Sequence, residues 1–138
     1  MTTSATTIFP VLRYRDATAA VEWLTRAFGF AQRSLTRHDD GTILHAELQL
    51  GAGIIMLGQH RPDDWMGGAA PDPATSPVGL YVRVDDPDAH FARAKDAGAE
   101  IVMEPVDQDY GSREYAARDL EGTMWSFGTY DPYAAPSV

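Results

Sequence analysis

Cysteine is absent from the 138 residues, which removes disulfides, thiolate nucleophiles and Cys-based zinc sites. Histidine, aspartate and glutamate remain as the side chains for a divalent metal. Long apolar runs are missing as well: none approaches the roughly 20 residues that cross a bilayer, and Met1 to Thr7 is too polar for the apolar segment of a secretion signal. A cytoplasmic protein without membrane contact is the expectation. Basic residues are few, with 11 Lys and Arg against 20 Asp and Glu and a formal charge of -9. Phosphate contacts need clustered Lys and Arg, so nucleic acid is not an expected partner. An acidic field instead raises the local concentration of cationic small molecules. Also absent are a G-x-S-x-G elbow, a phosphate-binding glycine loop and an H-E-x-x-H pair.

What is present is a duplication. Asp16 to Gly29 reads as a helix, with Asp16 as N-cap, Ala20, Trp23, Leu24, Ala27 and Phe28 on one face, and Gly29 as the stop. Asp86 followed by Pro87 caps a second helix that carries Phe91 and Ala94 and ends at Gly98. An apolar strand precedes each helix and three more follow it. In the first copy these are Phe9 to Tyr14, Gln32 to Arg37, Thr42 to Leu50 and Ile54 to Leu57. In the second they are Gly79 to Val84, Glu100 to Glu104, Arg113 to Arg118 and Thr123 to Thr129. The fold expected is α+β, two tandem βαβββ modules with curved mixed sheets around a cleft. A single domain is expected, with module one at 8–58, a linker at 59–77, module two at 78–130 and a tail at 131–138. The linker holds four prolines and two glycines.

Strand alternation assigns faces. Leu44, Ala46, Leu48 and Leu50 are expected against a helix, and Ile43, His45, Glu47 and Gln49 on the opposite side. Phe9, Val11, Arg13, Tyr81 and Arg83 belong with the second set. Trp23 and Trp125 read as core.

Leu12-Arg13-Tyr14-Arg15-Asp16, Ala27-Phe28-Gly29-Phe30, Val84-Asp85-Asp86-Pro87 and Asp119-Leu120-Glu121-Gly122 before Trp125-Ser126-Phe127 together resemble the vicinal oxygen chelate superfamily. That superfamily contains glyoxalase I, extradiol dioxygenases, fosfomycin-resistance enzymes and bleomycin-resistance proteins. The resemblance covers about Ile8 to Tyr130. It implies four metal-ligand positions, one on the first and one on the last strand of each module. Counted from Asp16 and from the turns, these fall at Phe9, Met56, Gly79 and Ser126. Phenylalanine and glycine offer no donor, a thioether suits soft copper, and a serine hydroxyl is a poor ligand unless deprotonated. No metal and no cofactor are expected.

The cleft-lining set is Phe9, Val11, His45, Glu47, Met56, Trp65, Tyr81, Tyr110, Tyr115 and Ser126, suited to a planar molecule held by stacking and a few hydrogen bonds. His45 and Glu47 either form an acid/base pair or bond within the sheet or to a ligand. Trp65 with Met66 either closes over the ligand or packs on the protein. The resemblance implies a homodimer that sequesters an aromatic, cationic, antibiotic-like molecule without metal, for resistance or self-protection. A glyoxalase- or dioxygenase-type enzyme with an atypical metal site is the alternative, and an interaction module with a vestigial cleft is a third reading.

Overall fold

The computed structural model describes residues 6–65, 72, 76 and 78–134. The chain divides into two compact units, Met1–Asp72 and Pro73–Val138. The first contains β1 (Val11–Tyr14), α1 (Ala17–Phe28), β2 (Ala31–Arg37), β3 (Ile43–Leu50) and β4 (Gly53–Gln59). Its sheet runs β1-β4-β3-β2, with β1 parallel to β4 and the other pairs antiparallel. Asp16 starts α1 by accepting a hydrogen bond from the Ala19 N–H at 3.0 Å. Gly29 ends it at φ 86°, a left-handed conformation that a Cβ would strain. Ala17, Ala20, Val21, Trp23, Leu24, Ala27 and Phe28 of this helix are buried. They form the first core with Tyr14, Ile43, Ala46, Leu48, Ile55 and Leu57 from the sheet.

The second unit repeats the order with β5 (Leu80–Arg83), α2 (Pro87–Asp96), β6 (Glu100–Asp107), β7 (Arg113–Arg118) and β8 (Met124–Gly128), in a sheet β5-β8-β7-β6. The fold is thus α+β, two tandem βαβββ modules. The repeat holds at the level of register. Val11 pairs with Met56 and Arg13 with Gly58 in the first sheet, and Tyr81 with Ser126 and Arg83 with Gly128 in the second. Every member is displaced by 70 positions, since 81 - 11 and 126 - 56 are both 70.

Three expectations change. Ile43 is fully buried, whereas Leu44 is 48% exposed, the reverse of simple alternation. The cause is a bulge: His45 pairs with Thr36 but Ile43 with Arg37, so Leu44 is the extra residue and the faces swap across it. Strand β6 extends past Glu104 to Asp107; it carries Pro105 as an outer strand, where a missing N–H is tolerated. The segment expected as linker begins as strand, because β4 includes Gln59. Met66 lies outside the described residues. Among the described residues, no helix is long and apolar enough to cross a membrane.

The second core is tied by Asp119, which is 5% exposed. Its Oδ1 accepts from the backbone N–H groups of Glu121 and Thr123, and its Oδ2 from the Trp125 indole N–H, each at 3.0 Å. One carboxylate therefore closes the β7–β8 turn and anchors the largest buried side chain of the unit. Asp119→Ala strands three donors and is expected to cost about 3 kcal/mol, read as a lower urea midpoint with the loss of near-ultraviolet Trp125 dichroism.

Candidate functional site

In each module one sheet face is filled by its helix, and the other carries the side chains that chemistry can use. In module one that face presents Phe9, Val11 and Arg13 beside Met56 and Gly58, and then His45 and Glu47. The register lays Val11, Met56 and Glu47 in one row across three strands. Phe9 is 38% exposed, and Val11 and Met56 are half-buried. His45 Nε2 lies 3.0 Å from Glu47 Oε2, and both side chains reach solvent.

Arg13 dominates the next row. Its side chain lies along Gly58, where a Cβ would stand 3.3 Å from Nη1 and 2.6 Å from the Leu44 carbonyl oxygen. Glycine is thus required first by the Leu44 carbonyl, and it also leaves room for the arginine. Nε donates to Asp64 Oδ2 at 2.8 Å, and the Trp65 ring centroid stands 5.9 Å from the guanidinium carbon. The loop bearing Asp64 and Trp65 is fixed at its root. Gln59 accepts from the Ala17 N–H and donates to the Arg15 carbonyl, the His60 N–H donates to the Tyr14 carbonyl, and Arg61 reaches Asp40 and Thr42. With hydrogen bonds from Thr42 and Arg61, Asp40 is held well below the usual carboxylate range.

In module two the corresponding face carries Tyr81 and Ser126, neighbours in register, and a cluster built around Tyr130. The Tyr81 hydroxyl donates to the Tyr130 carbonyl at 2.7 Å, and the Tyr110 hydroxyl donates to Glu114 Oε1 at 2.7 Å. The rings of Tyr81 and Tyr110 each meet Tyr130 edge-on with centroids 6.4 Å apart. Gly128 makes room, since a Cβ there would stand 2.5 Å from Glu114 Cγ and 3.0 Å from the Tyr81 hydroxyl. The hydrogen bond to Glu114, with burial and the carboxylate charge adding to it, pushes the Tyr110 phenol up to about 12. Desolvation raises Tyr81 also, opposed by its hydrogen bond with Ser112.

Tyr115 is a correction. It is fully buried, stacked on Phe127 at 5.0 Å, and its hydroxyl bonds His90 Nδ1 on α2. Register explains this: Tyr115 pairs with Phe127 and Ala117 with Trp125, so they share the helix face, and Glu114, Ala116 and Arg118 take the other. Its phenol is raised by desolvation. Alternation along Arg113 to Arg118 puts Arg113 with Tyr115 and Glu114 with Arg118, a charge on each face, and so does not by itself say which face is covered. Trp23 and Trp125 are core, 8% and 1% exposed. Asp64 and Tyr130 were missed as neighbours of the site residues because they lie in loops far along the chain from Arg13 and Tyr81; Glu114, four residues from Tyr110, was missed because alternation alone does not say which face of its strand is open.

The four positions that the resemblance implies for a metal carry side chains that do not suit a catalytic divalent ion. In module one they are Phe9 and Met56, an aromatic ring and a thioether; in module two they are Gly79, with no side chain, and Ser126. Among the described residues, no three His, Asp or Glu side chains lie close enough together to hold a metal ion.

Comparison with known proteins places this geometry. The model of the Glyoxalase/Bleomycin resistance protein/Dioxygenase superfamily matches residues 7–127. The protein Mb0911c of Mycobacterium bovis is 33% identical over 122 residues, 86% of this chain and 80% of that protein. Among solved structures, TioX from Micromonospora sp. ML1 superposes with a TM-score of 0.71 at 36% identity, covering 88% of this chain and 97% of its own. A glyoxalase I from Zea mays shares the fold at a TM-score of 0.70 and 20% identity, over 87% of this chain and 43% of that one. The chain belongs to the glyoxalase/bleomycin resistance protein/dioxygenase superfamily.

Proposed function

We propose that this chain is a metal-independent small-molecule-binding protein, acting as a homodimer, that sequesters a planar aromatic, cationic, antibiotic-like metabolite in resistance or self-protection. The observation that carries the reading is the open face of module two, where Tyr81, Tyr110 and Tyr130 gather beside the Glu114 carboxylate. Aromatic faces attract a flat cation through their quadrupoles, and a nearby carboxylate adds a charge-assisted contact. The formal charge of -9 works in the same direction. Family membership supports it too, since that superfamily includes bleomycin resistance proteins. The residues proposed to contact this ligand are Tyr81, Tyr110 and Ser126; Phe9, Val11, His45, Glu47, Met56 and Trp65 are proposed as ligand contacts on module one's own open face, taken by itself.

The His45–Glu47 pair at 3.0 Å favours a second reading, a glyoxalase- or dioxygenase-type enzyme in which the imidazole moves a proton with the carboxylate orienting it. Metal binding separates the two. After incubation with zinc, nickel, manganese or ferrous iron and desalting, the protein is expected to retain far less than one ion per chain; stoichiometric metal would favour the enzyme.

Two measurements address the tyrosine cluster. Following Tyr110 ionisation by absorbance, Glu114→Gln is expected to lower its pKa from about 12 toward the ordinary 10.0. The sign follows from the raised pKa: the fold favours the protonated phenol, so the linked stability is complete below about pH 10 and is lost as pH rises toward 12. In titrations with N-methylacridinium, a flat aromatic cation, Glu114→Gln and Tyr110→Ala are each expected to weaken binding about three- to tenfold. Unchanged affinity in both would remove the cluster from the binding face.

A further inference from the structure

The tyrosine cluster of module two is acidic and aromatic; the equivalent place in module one is built to the opposite specification. Arg13 occupies the position that Arg83 holds in the repeat, but the two side chains have different fates. Arg83 is 48% exposed and pairs with Asp85, two residues on. Arg13 is only 14% exposed, laid flat on Gly58, and its partner Asp64 is 15% exposed. A guanidinium laid down like this keeps its unbonded nitrogens at the solvent edge, where a ligand can reach them. Only Nε is matched, by Asp64 at 2.8 Å; the two terminal nitrogens have no hydrogen-bond partner among the described residues. These two nitrogens form the end of the arginine fork, which is suited to two oxygens of one planar group.

The surroundings specify what that group is attached to. Trp65 stands over the guanidinium while remaining 81% exposed, so most of the indole is open to another ring. Two residues back along β1, about 7 Å away, Val11 and Met56 form a paired apolar step. Glu47 closes the same row, and its carboxylate repels a second negative charge. Asp64 already offsets the arginine's single charge, so an anion here is held by hydrogen bonds from the end of the fork and not by net charge. A monoanion is therefore favoured over a phosphate dianion.

We infer that Arg13, Trp65, Val11 and Met56 form a second binding subsite, specific for the carboxylate of a planar aromatic acid. The acid group takes the free end of the Arg13 fork, and its ring lies between Trp65 and the Val11–Met56 step. The subsite is independent of the tyrosine cluster, since its residues, its charge preference and its ligand differ.

Calorimetric titration of the full chain with 2-naphthoate and with its neutral amide tests this. The acid is expected to bind once per chain and at least about tenfold more tightly than the amide, the equivalent of one charge-assisted hydrogen-bond pair. Arg13→Lys keeps the charge but loses the fork and is expected to weaken 2-naphthoate about tenfold. Trp65→Ala, at an exposed position that folding does not depend on, should weaken it about threefold and decides the matter if the lysine variant folds poorly. Glu114→Gln should leave it unchanged. No binding of the acid, equal binding of the amide, or full affinity in the Trp65 variant would overturn the inference. So would a loss in the Glu114 variant in place of these. The acridinium titration reports on module two alone, so either subsite can fail without the other.

Discussion

Each four-stranded sheet has one helix to cover it, and that arithmetic governs the rest of the structure. A helix buries one face of a sheet, and period-two alternation then delivers every second side chain to the other. On the covered side the result is a dense apolar set: Leu24, Phe28, Leu48 and Leu57 in module one, and Tyr115, Trp125 and Phe127 in module two, each essentially inaccessible to water. On the uncovered side the same strands present Arg13, Glu47, Met56, Tyr81, Glu114 and Ser126. Function has to be sought there because the helices leave nothing open on the other face.

The two modules spend that freedom differently. Gly58 and Gly128 are equivalent by register, and both admit an approach that a Cβ would forbid. At Gly58 the nearest approach is the Leu44 carbonyl, with the Arg13 guanidinium beside it; at Gly128 it is the Glu114 side chain, with the Tyr81 phenol beside it. Duplication thus supplied one scaffold with two vacant steps, and substitution filled them with opposite charge. The same logic applies to the superfamily's metal positions. The resemblance implies Phe9, Met56, Gly79 and Ser126 as those positions, and an aromatic ring, a thioether, a bare backbone and a hydroxyl are poor ligands for a divalent ion. A scaffold keeps its geometry while the chemistry at fixed positions changes, which is why the binding reading draws on the tyrosines and the enzymatic one on His45 and Glu47.

Buried polar groups mark the places where the fold is specified most narrowly. Asp119 satisfies three donors at once in the β7–β8 turn. The hydroxyl of Tyr115 would be an unpaired donor beneath α2 without His90. Ser112, 3% exposed, accepts from the Tyr130 N–H at 3.0 Å and so sets where the tyrosine cluster begins. The last two join residues that the chain brings together only after the strands are paired, whereas Asp119 acts within its own turn.

The sequence by itself determined the repeat, the helix caps at Asp16 and Asp86, the stop at Gly29, the strand order along the chain and the superfamily, because these depend on local periodicity, capping chemistry and short motifs. Only the tertiary structure decided that Tyr115 faces the core, since its side follows from pairing with Phe127. It likewise decided that Leu44 turns outward, because a bulge is a property of two strands rather than one. The partnership of Arg13 with Asp64 and Trp65, and of Tyr81 with Tyr130, joins a strand to a loop. The physical reason is the same in every case: alternation is written along one strand, while register, bulges and loop closure are settled between segments distant in sequence.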